Sequence, residues 1–195
     1  MYKLHQKQIS KYARQSPDNL ADAMRFVILT IQQQLSSAVK QSKGEQEANL
    51  FGFKLKAVAD IEANKQHIFN TCERLFETNC HDNLLQFLAD QHGFGLVKAG
   101  FVCQLVYGIS GCIDTHNLKL HNIPINQVTY NNKAKDPTRY KKAVAYNKLI
   151  ELCGGTESLW DNWCDYVAAK NPNTYKNGFE VSELHVEAIT KGALK

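Results

Sequence analysis

The most informative part of the chain runs His92-Gly93-Phe94-Gly95-Leu96-Val97-Lys98-Ala99-Gly100-Phe101-Val102-Cys103-Gln104-Leu105-Val106-Tyr107-Gly108-Ile109-Ser110-Gly111-Cys112-Ile113-Asp114-Thr115-His116-Asn117. Two glycines around Phe94 make a tight hairpin, since glycine reaches backbone conformations that other residues resist. An apolar helix is then expected from Leu96 to about Tyr107. Gly108 to Gly111 breaks it, Cys112-Ile113 reads as a short buried connector, and Asp114 has the chemistry of a helix N-cap. The free amides that open the helix after the hairpin point outward and suit a phosphate. Such a unit holds a nucleic-acid backbone without reading its sequence. Phe94 to Ile113 is also about the length of a membrane span, but Lys98, Gln104 and its glycines make it a buried helix.

Outward from this stretch the pattern is helical. Ser16-Pro17-Asp18 reads as a capped helix start, and Leu20, Met24, Val27, Ile28, Ile31, Leu35 and Val39 predict one long amphipathic helix to about Lys43. Leu50 to Glu77 carries a second helical pattern with a slip near Ala63 to Lys65, as one helix or two. His81-Asp82-Asn83 is expected to cap a short helix ending before Gly93. Tyr130 to Asp136 reads as a loop, Pro137 to Cys153 as a helix ended by Gly154-Gly155, Thr156 to about Lys170 as another, and Phe179 to Lys191 as the last. No β-hairpin, βαβ alternation or internal repeat is visible. The expectation is an all-α protein of eight to ten helices over residues 1–195, as one domain or as two lobes.

Composition narrows the function classes. The 195 residues are 44% hydrophobic and include nine Phe, eight Tyr and two Trp, enough for a core. Twenty-three Lys and Arg against nineteen Asp and Glu leave a net charge of +4, compatible with a nucleic-acid partner. The six cysteines form no C-x-x-C pair or iron–sulfur run and are expected as reduced core residues; neither metal nor cofactor is expected. Tyr2 to Gln8 lacks the apolar run of a secretory signal, so a cytoplasmic protein without a membrane role is expected.

The order of hairpin, helix and Asp114-Thr115-His116 resembles the helix-hairpin-helix DNA glycosylases of the endonuclease III superfamily. The resemblance covers about Leu84 to Ile123 and is remote; short proteins of this kind occur in bacteriophages, which would put the chain in a host cytoplasm or a virion. It implies a glycosylase-like bundle in which Gly93, Phe94, Gly95, Leu96, Val97 and Lys98 clamp DNA phosphate. Asp114 would serve the reaction at the sugar carbon bonded to a flipped base, for base excision or for base modification, since a related group is proposed to modify phage DNA. The family's lyase lysine falls at Val97 here, with Lys98 one residue later, and the four-cysteine cluster is absent. Lys98 is therefore a phosphate contact or, as a second catalytic candidate, a Schiff-base amine.

Each candidate also has a structural role to weigh. Asp114 caps the following turn as readily as it assists bond cleavage. Gln104 and Tyr107 are polar tips on an apolar helix, hence substrate-pocket candidates or packing residues; His116 and Asn117 are pocket or loop-holding residues. Trp160 and Trp163, beside Leu159 and Val167, belong in the core, with base stacking by them and Tyr166 as the alternative. The alternative to an enzyme is a non-catalytic DNA-binding or virion-associated protein on the same scaffold, with contacts to other virion chains or to copies of itself.

Overall fold

A computed structural model of the chain describes residues 1–48 and 50–191. Among these residues the regular elements are all helical. In chain order they are α1 (Tyr2–Ala13), α2 (Pro17–Leu29), α3 (Leu35–Ser42), α4 (Phe53–Glu77), α5 (His81–Ala89), α6 (Gly95–Val102), α7 (Thr115–Leu120), α8 (Asp136–Leu152), α9 (Gly155–Lys170) and α10 (Gly178–Thr190). A π turn at Cys103–Tyr107 extends α6, and a 3₁₀ turn occupies Ile125–Gln127. No helix among the described residues is long and apolar enough to cross a membrane.

Two buried helices form the centre. On α2, residues Leu20, Ala21, Ala23, Met24, Phe26, Val27, Ile28 and Leu29 are all buried, so the helix is covered on nearly every side. It meets α1, α3, α4, α6 and α10. The second is α6 with its π turn, in which everything from Ala99 to Tyr107 is buried. The membrane-like hydropathy of this stretch is thus that of a helix enclosed by protein. One cluster of buried apolar side chains runs from Tyr2 to Ile189.

Local chemistry explains the element ends. Ser16 Oγ accepts from Asn19 N at 3.2 Å with Pro17 in the first turn, as its sequence demands. The long helix expected from there to Lys43 is interrupted. Thr30 Oγ1 donates to the Val27 carbonyl, Gln33 Nε2 donates to the Leu29 carbonyl, and Gln32 takes φ +55°. These side chains satisfy the last carbonyls of α2 and let the chain turn before α3. At Leu50–Glu77 the periodic slip leaves α4 continuous, because no glycine or proline breaks it and Ile61 and Ile68 remain two turns apart on the inner face. α5 begins at His81 without a side-chain cap; the backbone of Cys80 accepts from Leu84 N instead. All six cysteines are free thiols.

The first helix is the element that sequence reading missed. Only Tyr2, His5, Ile9 and Ala13 are buried on α1, and one of these, His5, is polar. Their three- and four-residue spacing nevertheless aligns them, and Tyr2 Oη donates to the Gln104 carbonyl at 2.6 Å, tying α1 to the π turn.

Candidate functional site

The hairpin between α5 and α6 needs both of its glycines. Gly93 has φ +83° and Gly95 φ +62°, and a side chain at Gly93 would press within 3.0 Å of Ala57 Cβ on α4. Phe94 is buried and its amide donates to the Gln91 carbonyl at 3.2 Å, closing the turn. No side chain caps the first turn of α6, so the amides of Gly95, Leu96 and Val97 lack an intrahelical acceptor. Leu96 packs inward while Val97 and Lys98 are half-buried.

Further along α6, Lys98 borders a cavity of about 180 Å³. That is below the roughly 300–1,000 Å³ of sites for drug-sized ligands and suits a single small ring. Lys98 and Asp114, sixteen residues apart in sequence, both line it. Phe101, Trp160 and Trp163 supply aromatic walls, and Thr30 and Gln33 form a polar edge. Lys98 Nζ donates to Thr30 Oγ1 at 3.4 Å, so the interruption between α2 and α3 is what brings an acceptor to this lysine. The structure therefore turns Lys98 toward the cavity.

The segment carrying Asp114 is held through several of its backbone polar groups. Tyr146 Oη on α8 donates to the Gly111 carbonyl at 2.9 Å and accepts from Ile113 N at 3.0 Å. Gln104 Oε1 accepts from Cys112 N at 3.2 Å, and Asn117 Nδ2 donates to the Cys112 carbonyl at 2.9 Å. Gly100 allows the close approach, since a Cβ there would collide with the Gly111 carbonyl oxygen. Asp114 Oδ1 accepts from Asn117 N at 2.9 Å and caps α7. Its Oδ2 carries no hydrogen bond among the described residues, and the residue lines the cavity.

Electrostatics mark the same place. The Cys112 thiol, which also lines the cavity, is pushed up to about 12, chiefly by burial, with Lys98 lowering and Asp114 raising it. It is a neutral lining group and no ready nucleophile. Lys54, at the start of α4, is 1% exposed; burial first, and then the charge of Lys98, pushes its pKa down. A second lysine thus stands close to the one that sequence analysis singled out, and nothing in the local pattern announces it.

The remaining sequence candidates separate. Gln104 lines the cavity, but its side chain also bridges Cys112 N and the Thr156 carbonyl, the latter at 2.9 Å. Tyr107 lies away from the cavity, its ring 5.0 Å from Phe76 and under the guanidinium of Arg14 at 5.7 Å. Tyr107 closes the π turn, whose i→i+5 bonding shifts side-chain directions from those of an α-helix. Burial raises the Tyr107 pKa, with Cys72 and Glu73 adding to it. His116 is outside the cavity lining and stacks on Tyr166 with ring centroids 3.6 Å apart. Asn117 is buried beneath the aspartate segment as its fastener. Trp160 and Trp163 are at once core and wall, and Trp160 Nε1 donates to Ser182 Oγ at 2.8 Å. Sequence reasoning missed Thr30, Gln33, Phe101, Tyr146 and Lys54 as site residues. Only Phe101, three residues after Lys98 on the same helix, left a signal that spacing could have found.

Compared as a whole, the chain matches no family model, no curated protein and no solved structure.

Proposed function

We propose that the protein is a helix-hairpin-helix, glycosylase-like enzyme that acts on the N-glycosidic bond of a base flipped out of DNA. The observation that carries this reading is the convergence of Lys98 and Asp114 on one aromatic-walled cavity, with Lys98 in the first turns of the helix that a two-glycine hairpin with free amides opens. The hairpin amides hold a backbone phosphate. The cavity takes the extruded base against Phe101, Trp160 and Trp163, and stacking there offsets the few kcal/mol that unstacking costs. The C1′–N bond breaks with its electron pair leaving on the base, which takes up a proton. Water adds to C1′ and releases a proton. The free Oδ2 of Asp114 stabilises positive charge developing on the sugar and orients the water, while Oδ1 remains bonded to Asn117 N. Lys98, held by Thr30, supplies positive charge at the cavity rather than the covalent amine, in keeping with valine at the family's lysine position.

The test is incubation of the purified protein with duplex and single-stranded oligonucleotides bearing uracil, oxidised, alkylated and phage-type modified bases. Released bases and cut strands are read by mass spectrometry, with borohydride trapping alongside. One released base without a trapped adduct is expected. A trapped adduct would transfer the nucleophile to Lys98 or Lys54. The N-cap bond of Asp114 favours one other reading, a DNA-binding scaffold in which this residue only holds α7; salt-sensitive binding with no product from any substrate would select it.

A further inference from the structure

The segment from Tyr130 to Lys142 carries Lys133, Lys135, Arg139, Lys141 and Lys142 against the single carboxylate of Asp136. Its surplus of four positive charges equals the net charge of the whole chain, +4. Residues 1–14 carry an equal surplus from Lys3, Lys7, Lys11 and Arg14, but there Lys3 is paired with Glu157 and Arg14 with Glu73. Lys133, Lys135 and Lys141 are exposed, and among the described residues none of them makes an ion pair. Lys142 Nζ donates to the carbonyls of Asn126 and Gln127 at 2.8 and 3.2 Å, which fixes the base of the segment.

The segment is fastened to the hairpin. Asp90 closes α5 just before Gly93. One of its oxygens accepts from Tyr130 Oη at 2.6 Å and the other from Arg139. Asp136 is likewise engaged, by Gln86 Nε2 at 2.7 Å and by Arg139 at 3.0 Å. The nearby carboxylates are therefore compensated by Arg139 and neutral donors, while the three exposed lysines keep their charge. Tyr130 Cβ lies 3.9 Å from where a side chain on Gly95 would begin, so the segment abuts the turn with free amides. The N-terminus of the long helix α8, at Lys135 and Asp136, has no side-chain cap and adds positive potential to the same place.

We propose that Tyr130–Lys142 and the Gly93–Gly95 hairpin form one continuous surface for the sugar-phosphate backbone of a nucleic acid. Lys133, Lys135 and Lys141 contact phosphates beyond those at the hairpin. This rests on the nucleic-acid reading above and extends the footprint from a single clamp to a track. A polyanion of closely spaced charges matches a row of lysines continuous with recessed amides.

The experiment is fluorescence anisotropy with an unmodified labelled DNA duplex between 50 and 300 mM NaCl. It compares the native chain, K133A/K135A/K141A, and K3A/K7A/K11A, which removes equal charge from α1, a helix packed on α2, α9, α10 and the π turn. The expected result is at least a tenfold affinity loss near 100 mM salt for the first variant, with the slope of log K against log salt reduced by about two to three. The α1 variant should stay within about twofold of the native chain on the same electrostatic argument. Equal losses in both variants would overturn the surface, as would an unchanged slope in K133A/K135A/K141A. If the native chain binds and that variant matches it, the surface fails while the nucleic-acid reading stands. If the native chain binds no DNA, both fail. Tighter native binding to phosphatidylserine vesicles than to DNA, lost in the lysine variant, would assign the surface to an anionic membrane and overturn the proposal.

Discussion

At the scale of single residues, Asp114 combines two roles that ordinary substitutions confuse. Asparagine caps a helix about as well as aspartate, whereas alanine costs roughly 1 kcal/mol. Asp114→Asn should therefore keep the unfolding midpoint in urea while base release falls by about 10²–10⁴-fold; Asp114→Ala should lose both. Gly100 makes a second, purely steric prediction. A methyl there meets the Gly111 carbonyl, so Gly100→Ala should displace the aspartate segment and lower stability by about 1–3 kcal/mol, the usual range for overpacking. Chemical denaturation of the variant checks this. The hairpin glycines and the capping aspartate were legible in the sequence because positive φ and N-caps select few residue types. Lys98 was legible as a candidate but not in its direction, since that depends on Thr30, brought near by a bend some seventy residues earlier in the chain.

At the scale of elements, the aspartate segment depends on a tyrosine from α8. Tyr146→Phe removes one hydroxyl but leaves two buried backbone groups, the Gly111 carbonyl and the Ile113 amide, without their partner. The expected cost is roughly 2–4 kcal/mol from two unmet groups, measurable in urea, together with reduced turnover because Asp114 is no longer fixed. Helix existence and order were largely readable from apolar spacing. The exceptions have physical causes. α1 buries few residues, two of them Tyr and His, so its periodicity is faint. α2 and α3 share a continuous apolar stripe, and the interruption arises from side-chain bonds to carbonyls that periodicity does not register. The π turn keeps the apolar run but departs from the 3.6-residue period on which the expectation for Tyr107 rests, and that residue is found against Phe76.

At the scale of the whole molecule, the cavity wall rests on a buried histidine. The His185 ring meets Phe26, Phe101, Trp160 and Trp163. Its Nδ1 is bonded to the Val181 carbonyl at 2.8 Å and its Nε2 has no partner among the described residues. Burial holds it neutral and pushes its pKa down to about 4 from 6.5. The unfolded chain binds this proton first as pH falls, so stability is full above about 6.5 and declines toward 4, by about 3 kcal/mol from this group. Urea midpoints at pH 7 and pH 4 should show the decline, and His185→Leu should lessen the difference. No spacing rule reveals this residue, because its role exists only where α2, α6, α9 and α10 meet. The most direct measurement of the central claim is single-turnover base release from the best oligonucleotide substrate, by the native chain and Asp114→Asn, with DNA affinity measured in parallel. Release should fall by about 10²-fold or more in the variant at unchanged affinity; equal release by both proteins would contradict a catalytic Asp114.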